Sequence, residues 1–125
     1  MMKVLDTKKA PAAIGPYVQG MEANGFIFTS GQLPINPETG ELVSDCIKNA
    51  TRQSLNNALE IVRAAGGDVK NVLKATIFIK DMNDFSDVNA EYEAFFGEHK
   101  PARSCVEVAR LPKDARIEIE FIAQL

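Results

Sequence analysis

Residue types that support common cofactor chemistry are scarce in this sequence of 125 residues. It contains one histidine, two cysteines and no tryptophan, and without a Cys-x-x-Cys pair it offers too few ligands for a zinc site. Neither a Gly-x-Gly-x-x-Gly motif nor a P-loop occurs, so binding of a dinucleotide or a nucleotide phosphate has no support. We therefore expect a protein that works without a cofactor.

Long apolar runs and an excess of positive charge are also missing. No apolar run approaches the ~20 residues of a membrane span, and the first residues, Met-Met-Lys-Val-Leu-Asp, lack the apolar region of a signal peptide. The net charge of −3 argues against a nucleic-acid partner. Two cysteines, Cys46 and Cys105, are too few for a disulfide framework and are predicted to be free thiols. We expect a cytoplasmic protein that binds neither nucleic acid nor membranes.

The patterns that are present predict a single α+β domain over residues 1–125. Hydrophobic residues make up 46% of the chain, enough for a real core at this length. Periodicities of two and of 3.6 residues predict two or three strands, a helix, a strand, a helix and two strands. The first helix is expected to start at Ser44 as its N-cap and to stop at Gly66. The second is expected over residues 85–96 with an inward apolar stripe that includes Phe85, Val88 and Tyr92, and a strand covered on both faces is expected over residues 69–80. Strands over residues 17–22 and 26–31 are expected to form a hairpin that turns at Asn24-Gly25, and Leu111–Asp114 is expected to form a turn.

These elements predict a mixed, mostly antiparallel sheet with two helices on one face. The other face is then either solvated or buried against another subunit. Phe26, Phe28 and Phe78 make much of the sheet apolar, and an exposed patch of that kind favours association. We therefore predict a homo-oligomer.

The segment from Pro101 to Glu120 holds the candidate chemistry. Alternation puts Arg103 and Cys105 on one face of a strand, and it puts Glu118 and Glu120 on one face of the next strand. If both strands lie near each other in one sheet, a guanidinium, a thiol and a carboxylate share a surface, which we expect to be the active site. The pattern does not distinguish Glu118 from Glu120.

Three segments make the sequence resemble the Rid (YjgF-type) family, and its RidA branch in particular. They are Ala10–Tyr17 (Ala-Pro-Ala-Ala-Ile-Gly-Pro-Tyr), Thr29–Gln32 (Thr-Ser-Gly-Gln), and Pro101–Ser104 (Pro-Ala-Arg-Ser) running on to Ile117–Ile119 (Ile-Glu-Ile). The likeness covers nearly the whole chain. It implies a chorismate-mutase-like α+β fold and a homotrimer with active sites between subunits. It also implies cofactor-free hydrolysis of 2-iminobutanoate and 2-iminopropanoate to 2-oxo acids and ammonia.

The resemblance also assigns roles to residues. It implies that Arg103 binds the substrate carboxylate, that Glu118 helps to place the attacking water, and that the Cys105 backbone lies beside that water. By the same resemblance, Tyr17, Ser30 and Gly31 line the pocket.

Ordinary chemistry agrees with these roles and leaves alternatives open. A guanidinium fork suits a carboxylate, and a glutamate can accept a proton from water. Cys105 is either a nucleophile or, as we favour, a packed neighbour, because a nucleophilic thiol needs a nearby base. A small-carboxylate-binding module without catalysis would use the same Arg103. A ribonuclease is disfavoured by the acidic charge.

Overall fold

One six-stranded mixed sheet forms the frame of the protein in a computed structural model that describes residues 1–125. The strand order is β1-β2-β3-β6-β4-β5, and only β4 and β5 run parallel. This confirms the predicted α+β class and its mostly antiparallel sheet. The strands are β1 (Met2–Leu5), β2 (Gly20–Ala23), β3 (Phe26–Thr29), β4 (Val72–Ile79), β5 (Ala102–Glu107) and β6 (Ile117–Gln124).

Two helices, α1 (Ile47–Ala64) and α2 (Phe85–Phe96), pack side by side on one face of this sheet. Each has an apolar stripe, and the stripes join the sheet in a single core of 21 buried residues. The Phe96 ring of α2, for example, lies 5.7 Å from the Phe121 ring of β6. Both helices therefore lie on the same face of the sheet, as predicted.

The start of α1 differs from the prediction. Cys46, with φ −152° and ψ 158°, is the residue before the helix, and no side chain caps it. The expected N-cap, Ser44, lies two residues earlier. Asp45 instead accepts a hydrogen bond from the Asn49 side chain at 2.8 Å. The other end agrees better, since Gly66 takes the left-handed φ of 95° that commonly follows a helix.

The hairpin between β2 and β3 turns at Asn24 and Gly25, as the sequence predicts. Both residues have positive φ, 53° and 82°, which a tight primed turn requires. The strand before the turn was expected from residue 17 but begins only at Gly20.

The second face of the sheet carries no helices. Phe26 and Phe28 are 38% and 48% exposed on it, and Val106 is 43% exposed. On β4, Leu73 is exposed and Phe78 is half-buried, so the prediction that both faces of this strand are covered is wrong for a single chain. One layer of helices cannot cover two faces. No helix of the chain is both long and apolar enough to cross a membrane.

Candidate active site

The strand register separates the residues that were expected to share one surface. Ile77 of β4 pairs with Cys105 on β5 and with Ile119 on β6, so these three residues point to the helix-covered face. Arg103 lies two residues before Cys105 on the same strand and therefore points to the same face. Glu118 is the neighbour of Ile119 and therefore points to the open face. The expectation of one shared surface is wrong for a single chain. Strand β4 also separates β5 from β6, so their backbones lie two strand spacings, about 10 Å, apart.

Glu118 lies in a cavity of about 580 Å³ on the open side. Tyr17, Ser30 and Gly31 line the same cavity. We call it the Glu118 pocket. Four of the six site residues expected from the resemblance thus lie together, although they come from three distant parts of the chain.

Close contact between two backbones brings Gly31 against Glu118. After β3 ends, Gln32 exchanges two hydrogen bonds with Ile119, at 2.7 and 3.1 Å. The side chain of Glu118, the residue before Ile119 on β6, reaches back to Gly31. A Cβ atom built on Gly31 would lie 2.8 Å from Glu118 Cδ and 2.9 Å from Oε2. A side chain at position 31 would therefore displace the Glu118 carboxylate.

The proline-rich loop that carries Tyr17 is held by one buried side chain. Gln19 is 2% exposed. Its Nε2 donates to the carbonyl oxygens of Ala10 and Pro11 at 3.2 and 2.8 Å, and its Oε1 accepts from Thr7 N at 2.7 Å. Because prolines remove backbone donors, a side chain supplies the hydrogen bonds that a regular element would provide. The loop is thus fixed over the Glu118 pocket.

A strained turn forms another part of the rim. Lys113 and Asp114 have left-handed φ angles of 58° and 55°, which cost non-glycine residues roughly 1–3 kcal/mol each. Arg110 Nε donates to Asp114 Oδ1 at 2.8 Å and helps to hold the turn. Lys113 lines the Glu118 pocket. The Leu-Pro-Lys-Asp sequence predicted a turn here but gave no sign of this role.

The carboxyl group of Glu118 lies in surroundings that disfavour its charge. Burial raises its pKa above the ordinary value, and the neighbouring Glu120 carboxylate raises the pKa further. No basic side chain of the same chain pairs with it within 4 Å. A carboxyl with a raised pKa exchanges protons more readily near neutral pH, as a proton acceptor in catalysis requires.

The contact between Gly31 and Glu118 leads to a first prediction. Gly31→Ala should lower turnover by up to about 10²-fold, because the added methyl pushes the carboxylate away from its place. The cost in stability should be small, because the displaced carboxylate is the far end of a flexible side chain. Steady-state kinetics and thermal melting measure the two effects. In a Glu118→Ala background the same change should cause no further loss of turnover, and an equal further loss there would contradict the contact.

Arg103 lies in a second cleft, on the side of the sheet that α2 covers. This Arg103 cleft, of about 430 Å³, is also lined by Asn89 and Tyr92. Asn89 Oδ1 accepts a hydrogen bond from Arg103 Nη1 at 2.6 Å. Sequence patterns pointed to Tyr92 only as core and gave no signal for Asn89, because an isolated polar residue on a helix is usually a solvated one.

Cys105 has the surroundings of a packed thiol. It is half-buried against the core, and burial raises its pKa, an effect that Arg103 opposes in part. A raised pKa leaves less thiolate at neutral pH, which weakens the thiol as a nucleophile. No group of three His, Cys, Asp or Glu side chains comes together to hold a metal ion.

Comparison with known proteins places the chain in a family. A family model described as endoribonuclease L-PSP matches residues 7–125. The 2-iminobutanoate/2-iminopropanoate deaminase of Escherichia coli K12 is 60% identical over 126 residues, which cover 98% of each chain. The chain belongs to the Rid (YjgF-type) family.

Solved structures of Rid relatives agree with the fold. The crystal structure of the YjgF gene product of E. coli is 58% identical and superposes with a TM-score of 0.94, covering 98% of both chains. E. coli TdcF with bound serine is 51% identical and superposes with a TM-score of 0.95 at the same coverage. The resemblance that three sequence segments indicated is therefore confirmed.

Proposed function

We propose that this chain hydrolyses 2-imino acids such as 2-iminobutanoate and 2-iminopropanoate to 2-oxo acids and ammonia. The observation that carries the proposal is 60% identity, over 98% of both chains, to a deaminase named for these two substrates. The two free cysteines support the cytoplasm as its compartment.

The proposed reaction requires a group that binds the substrate carboxylate and a group that positions the attacking water. Arg103 binds the carboxylate, since a guanidinium keeps its charge at any working pH and can bind both oxygens. Water adds to the imine carbon while Glu118 accepts a proton from it. The proton passes to nitrogen and gives a carbinolamine. Glu118 then takes the hydroxyl proton and returns it to the amino nitrogen, so that ammonia leaves as the C=O bond of the 2-oxo acid forms.

This reaction needs little from the protein beyond orientation of the substrate and the attacking water. Free imines hydrolyse in water without help, so the barrier to be lowered is modest. Fixing the substrate and the water in one geometry can supply up to ~7–11 kcal/mol in ideal cases. Tyr17, Ser30 and Gly31 shape the pocket around the imine in this proposal. Cys105 contributes through its backbone beside the water, and Glu120 acts on the pKa of Glu118.

The proposed site requires two copies of the chain. In a 2-imino acid the carboxylate and the imine carbon are directly bonded, so one molecule cannot reach both Arg103 and Glu118 of a single chain across the sheet. Arg103 of one copy therefore faces Glu118 of the next. The open apolar face supplies a surface for association, and the family resemblance favours three copies.

A coupled assay tests the proposal. Threonine dehydratase generates 2-iminobutanoate from threonine, and semicarbazide competes with the protein for the imine. Wild type should reduce the semicarbazone formed, whereas Arg103→Ala should lose this effect by about 10²–10³-fold, as expected for a lost charge-assisted contact. If wild type leaves imine loss at its uncatalysed rate, the proposal is wrong.

The same assay separates a second candidate, a carboxylate-binding module. The bound serine of TdcF, a relative of 51% identity, shows that a closely similar chain binds an amino acid. Binding of 2-oxobutanoate without faster imine loss would favour this candidate. Ribonuclease activity, which the family description names, remains disfavoured by the net charge of −3.

A further inference from the structure

Arg103 is exposed, yet three side chains of α2 surround its guanidinium. Phe85, Asn89 and Tyr92 lie four and three residues apart, so they form one stripe of the helix. The Tyr92 ring centre lies 4.8 Å from Arg103 Cζ, and the Phe85 ring centre lies 5.6 Å away. Both distances are within the range of cation–π contacts.

The contact with Asn89 determines which edge of the guanidinium is available. Asn89 Oδ1 accepts from Nη1 at 2.6 Å, and Arg103 makes no other protein side-chain hydrogen bond. A guanidinium has five N–H donors in a fixed plane. With Nη1 engaged and the ring faces of Tyr92 and Phe85 limiting rotation, the edge formed by Nε and Nη2 keeps its donors unused.

We propose that Asn89 and Tyr92 are positioning residues that hold Arg103 so that its Nε–Nη2 edge meets the substrate carboxylate. The inference rests on the proposed function and adds the two side chains that orient Arg103, the group that binds the substrate carboxylate. A free arginine side chain populates many rotamers, and ordering it at the moment of binding weakens affinity. A guanidinium already held in place avoids that loss.

The ring of Tyr92, rather than its hydroxyl, carries this role. Tyr92 is 8% exposed, and its hydroxyl oxygen is buried without a hydrogen-bond partner. A buried hydroxyl without a partner adds nothing to the contact with Arg103. A phenylalanine at this position keeps the ring and therefore the stacking.

Variants of Asn89 give the clearest test, because this residue is exposed and its replacement leaves the core intact. Asn89→Leu keeps the size of the side chain and removes the acceptor. We expect the Kd for 2-oxobutanoate, measured by calorimetry, and the KM for 2-iminobutanoate to rise about tenfold or more. Asn56→Leu, an exposed asparagine of α1 without a hydrogen bond, is the matched control and should match wild type.

Two further comparisons distinguish positioning from a structural role. Tyr92→Leu should raise the same Kd, and Tyr92→Phe should restore it. In an Arg103→Lys background, Asn89→Leu should have no additional effect on Kd, because an ammonium group cannot use the same support. Additive effects in that double variant would overturn the inference.

The outcomes also separate this inference from the proposed function. A wild-type protein that neither binds 2-oxobutanoate nor accelerates imine loss contradicts the function itself. An active wild type with an Asn89→Leu variant of equal Kd and KM contradicts only the positioning role. Thermal melting of every variant confirms that the comparison is made between folded proteins.

Discussion

Replacing Arg103 by lysine is expected to lower kcat/KM for 2-iminobutanoate by about 10–100-fold while the fold persists. The charge survives, but the planar fork that engages both carboxylate oxygens is lost, and hydrogen bonds to charged groups are worth about 1.5–3 kcal/mol. Arg103 is an exposed residue of the edge strand β5, so the change should leave the melting temperature nearly unchanged.

The lysine variant is measured in the imine assay beside Arg63→Lys. Arg63 is also exposed, and neither it nor its partners Glu60 and Asp68 line either pocket, so this control tests whether any loss of a guanidinium has the same effect. Activity of Arg103→Lys equal to wild type would contradict bidentate binding of the carboxylate.

Glu118→Gln is expected to lower kcat by about 10²–10⁴-fold, the usual range for loss of a proton-transfer group. Binding of 2-oxobutanoate should change much less, because the amide has nearly the shape of the carboxylate and Arg103 remains. Single-turnover kinetics and calorimetry measure the two quantities. Equal turnover of this variant and wild type would remove Glu118 from the mechanism.

The pH dependence of the reaction follows from the same residue. Glu118 accepts a proton only when ionised, and its pKa is raised by burial and by Glu120, so activity should fall as the pH drops through a value above the ordinary pKa of a glutamate. Glu120→Gln removes one of the two causes. The acidic limb of the kcat profile should then move to lower pH, and a shift to higher pH would contradict the proposed influence of Glu120.

Periodicity along the chain predicted the elements well because local patterns determine them. The stripe of α2 and the Asn24–Gly25 hairpin are encoded within a few residues, and both were predicted correctly. The start of α1 was not predicted correctly, since Ser44 is a residue type favoured at N-caps but lies two residues before the actual N-cap, Cys46. A residue caps a helix only if its side chain reaches a free N–H of the first turn, and the residue type alone does not show whether it does.

The arrangement of the site was harder to predict for a different physical reason. Alternation shows which residues of one strand share a face, but it does not show which set on one strand matches which set on another. That depends on the register of β4 with β5 and β6, a long-range property. Arg103 and Glu118 were therefore placed on one surface, whereas the structure puts them on opposite faces. No local pattern linked Asn89 to Arg103, because the two residues lie fourteen positions apart in the chain.

The separation of Arg103 and Glu118 on opposite faces has a genetic consequence. If each catalytic unit takes its arginine from one copy and its glutamate from the next, then Arg103→Ala and Glu118→Gln chains are defective for different reasons and can complement each other. Assembled together in equal amounts, they should form about one intact unit in four. Two inactive alleles expressed in the same cell would then restore imine hydrolysis that neither provides alone.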